Sequence, residues 1–170
     1  MRFAFVCLFL SAFIPSADAT PVSIQDAADE LSKRGAESIQ VALLAGTPQI
    51  KARLDDQSMA LRLMECDPRD YTCNVTSFVS CREYISMTSK QASNITNNYS
   101  KQATARGSAY VADEPLLGQT LCVRLRAQLH AEDIFDLSDV FDWQLTMRDF
   151  FEFADNQVQE LKVQDVVNYQ

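Results

Sequence analysis

The sequence predicts an all-α fold, a single-domain bundle of about five helices pinned by two disulfides. Three observations point there. Between Phe78 and Tyr99, apolar or small residues recur as Phe78, Cys81, Ile85, Thr88, Ala92, Ile95 and Tyr99, in alternating steps that fall on one side of a helix turning about 100° per residue. Near the C-terminus, Val140, Trp143, Met147, Phe150, Phe151, Ala154, Val158 and Leu161 form a second arc, with Asp142, Asp149, Glu152 and Asn156 opposite. Once an N-terminal leader is set aside, four cysteines remain, the even count expected of a cystine-stapled chain in an oxidising compartment.

The leader is Met1–Ala19. It carries Arg2, an apolar run from Phe3 to Ile14, and small residues at Ala17 and Ala19, the pattern of a secretory signal peptide cleaved after Ala19. The run is shorter than the roughly 20 apolar residues a bilayer span requires. Residues 1–19 are therefore read as signal peptide and 20–170 as one secreted, extracellular domain, long enough to bury a core. Losing Arg2, Asp18 and Cys7 leaves the net charge at −8. An acidic surface argues against nucleic acid and anionic membranes, which reward clustered Lys and Arg. The adjacent pair Lys33-Arg34 reads as the solvated face of a helix rather than a processing site, because it interrupts no helical pattern.

Ser23, with Asp26 three residues on, is a variant capping box that opens the first helix. Its stripe is Ile24, Ala27, Ala28, Leu31, Gly35, Ile39, Ala42 and Leu43, and Gly46 is its stop. Thr47-Pro48 supplies an N-cap and first-turn proline for a second helix through Ile50, Leu54, Leu61 and Met64, which ends before Pro68. Cys66–Thr76 then forms a surface loop. The central helix Phe78–Tyr99 places Lys90, Asn94, Asn97, Asn98 and Lys101 on its far side. Asn74-Val75-Thr76, Asn94-Ile95-Thr96 and Asn98-Tyr99-Ser100 are N-glycosylation acceptor patterns, so Asn74, Asn94 and Asn98 are expected to carry glycans and face water. After the connector Gln102–Ala112, Asp113-Glu114-Pro115 starts a fourth helix with the stripe Leu117, Leu121, Cys122, Leu125 and Leu129. Asp136-Leu137-Ser138-Asp139 caps the fifth.

The cysteines Cys66, Cys73, Cys81 and Cys122 allow three connectivities that spacing does not separate. The favoured one closes the loop with Cys66–Cys73 and ties the central helix to the next with Cys81–Cys122. Metal binding lacks support, since no C-x-x-C occurs and the single histidine, His130, has no partner at ligand spacing. At the end of its helix His130 reads as a favourable cation rather than a catalytic base. No G-x-S-x-G, H-E-x-x-H or Gly-rich phosphate loop is present, and Asp55-Asp56 and Asp139/Asp142 read as solvated faces rather than a glycosidase pair. No enzyme activity and no cofactor is expected.

Non-covalent binding is what remains. The aromatic arc suggests a hydrophobic small molecule or lipid held between the last and central helices by Ile85, Ile95, Tyr99, Trp143, Met147, Phe150 and Phe151, although such arcs also serve simply as core. The alternative is an extracellular protein-interaction factor with no small ligand. It would use Phe153, together with Leu145 and Val163 off the main arc, and the acidic helix face.

Between Asp67 and Asn156, the run Cys81-Arg82-Glu83-Tyr84 and the later Asn98-Tyr99 resemble the insect secreted family named after the tsetse EP protein. The resemblance implies a small helical extracellular protein of gut, haemolymph or reproductive fluid, with lipid-type ligands for some members and no catalytic residues to carry over.

Overall fold

A computed structural model describes residues 22–69, 72–85, 87–102, 104–112, 118–129 and 135–167, with side chains up to residue 161. The elements are α1 (Ile24–Lys33), β1 (Glu37–Leu44), β2 (Thr47–Leu54), β3 (Gln57–Cys66), β4 (Cys73–Ile85), α2 (Ser89–Ser100), β5 (Ser108–Val111), β6 (Gly118–Gln128) and α3 (Leu137–Val167). The strands form one antiparallel six-stranded sheet in the order β1-β2-β3-β4-β6-β5.

Two tight turns build the first half. Leu44 pairs with Thr47 across Ala45-Gly46, whose φ angles are 50° and 82°, and Leu54 pairs with Gln57 across Asp55-Asp56, at 50° and 60°. Two-residue hairpins with both central residues at positive φ match the twist of the flanking strands. From these turns the side chains alternate. Ile50, Ala52 and Leu54 on β2, Met59, Leu61 and Leu63 on β3, Phe78 on β4, and Leu121 and Val123 on β6 are buried on one face. Lys51, Arg53, Ser58, Arg62, Arg124 and Arg126 are exposed on the other.

All three helices cover the apolar face. Ala27, Ala28 and Leu31 of α1, Ala92, Ile95 and Tyr99 of α2, and Val140, Trp143, Met147, Phe150, Phe151 and Ala154 of α3 join the sheet residues in one core. The result is two layers, helices on sheet, with the second sheet face open to water.

The all-α bundle of five helices is thus overturned by a mixed fold of six strands and three helices. The expected first helix stops at Lys33, where Arg34 and Gly35 (φ 89°) turn the chain into β1. The expected second helix is the β2–β3 hairpin: with Asp55-Asp56 as its turn, Ile50 and Leu54 share the buried face with Leu61, while Met64 falls on the other face. The expected central helix splits. Phe78–Ile85 is strand, so its stripe mixes the two sheet faces: Phe78 is buried while Ile85 is 73 % exposed. Helix begins only at α2, where Thr88 and Gln91 form a reciprocal capping box. The connector contains β5, and the fourth helix is β6.

Disulfides join Cys66 to Cys73 and Cys81 to Cys122. This is the favoured pairing: Cys66–Cys73 closes the connection between β3 and β4, and Cys81–Cys122 links residues directly opposite on neighbouring strands rather than two helices. Cys81-Arg82-Glu83-Tyr84 lies in β4 and Asn98-Tyr99 in α2, so the helical fold implied by the family resemblance is not the one formed. The leader, Asp113-Glu114-Pro115, Leu117 and His130 lie outside the described residues.

Candidate functional site

Six of the seven residues that the sequence assigns to a ligand cavity along the C-terminal helix gather in the structure. Ile95, Tyr99, Trp143, Met147, Phe150 and Phe151 are all buried. They meet one another and the sheet: Trp143 stacks on Phe78 with centroids 5.5 Å apart, and Tyr99 meets Phe150 edge-on at 5.0 Å. Phe150 and Phe151 lie 5.2 Å apart. Ile85, at the far end of β4, points to solvent and takes no part. Phe153 and Leu145 are half-buried, Phe153 lying 5.7 Å from Tyr99. The side chain of Val163 lies outside the described residues.

Further along α3, polar side chains lock the helix to β4. Arg82 donates from Nη1 to Asp155 Oδ2 at 2.8 Å, and its guanidinium lies 4.3 Å from the centroid of the Phe151 ring. The Tyr84 hydroxyl donates to Asp155 Oδ1 at 2.9 Å. Burial pushes the Tyr84 phenol above its ordinary pKa and the Asp155 carboxylate pushes the same way, so the hydroxyl stays a donor. Beside this lock runs an open groove of about 450 Å³, with Met147 and Phe151 as its apolar part and Asp55, Gln57, Arg148 and Glu152 around it.

β1 is a different kind of surface. Seven of its eight residues are exposed, among them Val41 (53 %), Leu43 (63 %) and Leu44 (57 %). It pairs with β2 alone among the described residues and ends the sheet, so its outer rim presents peptide N–H and C=O groups in a row. Glu37 is its single charged residue, and a bulge with Ser38 at φ 54° separates Glu37 from the regular ladder Gln40–Leu44. Edge strands are ordinarily blunted by charge, proline or brevity, and Gln40–Leu44 has neither charge nor proline.

The helical reading had placed Ile39, Ala42 and Leu43 on a buried stripe and so missed this surface. A signal was present in Glu-Ser-Ile-Gln-Val-Ala-Leu-Leu, which alternates over its first half and is bracketed by Gly35 and Gly46. Of the acceptor asparagines, Asn94 and Asn98 are exposed on α2, whereas Asn74 is half-buried in β4, not in a surface loop. Lys33 ends α1, and Arg34 caps it while its Nε donates to Gln144 Oε1 at 2.5 Å and its guanidinium lies over Phe141.

Among the described residues no cluster of His, Cys, Asp or Glu is placed to hold a metal ion, and no helix is long and apolar enough to cross a membrane. No family model, curated protein or solved structure matches the chain.

Proposed function

We propose that the protein is a non-catalytic, secreted protein-interaction module that captures an extended segment of its partner by strand addition at β1. The observation that carries this reading is the long, uncharged edge Gln40–Leu44 with Val41, Leu43 and Leu44 in water. In strand addition, main-chain hydrogen bonds supply affinity and alternate side chains supply selectivity. Here Val41 and Leu43 fall on the helix-covered face and Ala42 and Leu44 on the open one, so an added strand with apolar residues at alternate positions sets them all on one face, beside Val41 and Leu43 when that is the helix-covered one. Two disulfides between paired strands suit work in an oxidising compartment.

Phage-displayed decapeptides selected on the immobilised protein test the reading. Selected peptides are expected to be extended and apolar at alternate positions, and Val41→Lys with Leu43→Lys is expected to abolish their binding. Selection of peptides indifferent to both substitutions would overturn it.

A second reading, the carrier of a small apolar molecule, rests on the groove beside Met147 and Phe151. Its volume lies within the range of small-molecule sites. Native mass spectrometry of the purified protein checks it: a co-purifying lipid displaced by Phe151→Arg supports a carrier, and the bare mass of the chain counts against one.

A further inference from the structure

The open face of the sheet carries a charge opposite to that of the molecule as a whole. The chain has a net charge of −8, and its helical layer is lined with exposed acids, including Asp26 and Asp29 on α1 and Asp142, Asp149, Glu152 and Glu160 on α3. On the opposite side the outward positions hold Lys51 and Arg53 on β2, Arg62 on β3, and Arg124 and Arg126 on β6, all exposed. The register sets them in two rows, Gln49–Arg62–Ser77–Arg126 and Lys51–Ala60–Val79–Arg124. With strands about 4.8 Å apart, the cations of each row stand roughly 10 and 14 Å from one another.

Ala60 and Val79 make an uncharged floor between them, and a shallow groove of about 440 Å³ opens at Ser38, Gln40, Lys51, Arg53, Ser58 and Arg62. Neither row contains an acid. The acids of this side stand around the rows rather than in them: Asp56 holds Arg53 at 3.0 Å, Glu65 holds Arg126 at 3.5 Å, Glu37 lies opposite Arg53, and Glu83 follows Val79 and Cys81 near the end of β4.

We propose that this basic sheet face binds an acidic polypeptide segment, at a site that borders β1 at Ser38 and Gln40 but rests on charge rather than on strand pairing at the edge. In an extended chain, carboxylates two residues apart are spaced about 7 Å, like Arg124 and Arg126 along β6, and carboxylates four residues apart about 13 Å, close to the separation of Lys51 and Arg124 across the longer row. The acidic margin and the acidic helical layer repel a long polyanion or a charged bilayer, which extend past the patch, while a short acidic segment fits inside it.

Fluorescence anisotropy with a labelled decaglutamate peptide tests the proposal. Binding is expected at about 50 mM salt and is expected to vanish near 0.5 M, where screening is nearly complete. The double substitution Lys51→Glu, Arg62→Glu is expected to weaken it at least about tenfold. Lys90→Glu with Lys101→Glu makes the same change in net charge on the helical side, where both lysines are exposed, and is expected to stay within about twofold of the parent. Val41→Ser with Leu43→Ser is expected to leave decaglutamate binding unchanged, which keeps this result independent of the edge. If the first double variant fails to fold, Lys51→Gln with Arg62→Gln takes its place. Equal weakening by the two charge reversals, absence of binding at low salt, or tighter binding of duplex DNA or phosphatidylserine vesicles overturns the proposal.

Discussion

The sheet ends in two edges, and the chain finishes them differently. β5 is four residues long, three of them half-buried, and α2 packs against it, anchored through Tyr99 on Phe150. β1 is eight residues long, almost wholly exposed, and carries three large apolar side chains into water. A short, covered edge offers little for another chain to pair with; a longer one whose ladder, Gln40–Leu44, carries no charge is an aggregation hazard unless something occupies it. The contrast separates what the fold needs from what it leaves over: the β5 side is part of the core, and the β1 side is available for recognition.

If that division is right, damage beneath β5 should be felt as stability and damage on β1 as binding. The largest effect is expected from Phe150→Ala, which removes a fully buried ring from under α2. It should cost about 3–5 kcal/mol in urea unfolding. Removing the Cys81–Cys122 bridge, which spans 41 residues and ties β4 to β6, is expected to cost up to about 4 kcal/mol on the chain-entropy account. A loss below about 1 kcal/mol for Phe150→Ala would mean that the covered edge is not held by the core.

A smaller effect is expected at the start of α3. Asp136 Oδ1 accepts from the Ser138 amide and hydroxyl, each at 2.6 Å, while Asp139 accepts from the Asp136 amide at 2.9 Å. Asp136→Ala should cost about 1 kcal/mol. The Ser138 hydrogen bonds hold the Asp136 carboxyl below its ordinary pKa. Its contribution is therefore fully present above the ordinary carboxylate range and is lost as pH falls through the lowered folded value. Asp136→Asn keeps a cap, so it should retain most of the stability at neutral pH and flatten this part of the acid limb in a pH series of thermal melts.

The smallest stability change belongs to β1. Val41→Ser with Leu43→Ser should shift unfolding by no more than about 0.5 kcal/mol, yet should remove peptide capture. An unfolding loss of several kcal/mol there would erase the distinction between the edges.

Sequence reasoning recovered the parts of the fold where one period was unopposed. α3 has a long arc with acids opposite and was legible; so was the Ser23 cap, whose hydroxyl accepts from the Asp26 amide at 3.1 Å. The hairpins were not, because the first turn depends on Ala45 taking positive φ, which alanine adopts rarely, and the second is built by Asp55-Asp56 without the glycine that marks most such turns. β4 gave no alternation to read, since Val75, Thr76, Ser77 and Phe78 are all buried in a central strand. The candidate edge was hidden by the same error, for Leu43 fits a helical stripe until Ala45-Gly46 is recognised as the turn that leads into β2. Likewise, the overall charge of −8 concealed the basic sheet face, which exists only once pairing brings Lys51, Arg62 and Arg124 onto one surface.

Amide hydrogen exchange at Gln40–Leu44, measured with and without a selected peptide at saturation, tests the open edge most directly. Alternate amides of β1, those not bonded to β2, should exchange rapidly in the free protein and slow by at least about a hundredfold when the peptide is bound, while β5 is unaffected. Unchanged exchange along β1 in a fully occupied complex would contradict the account.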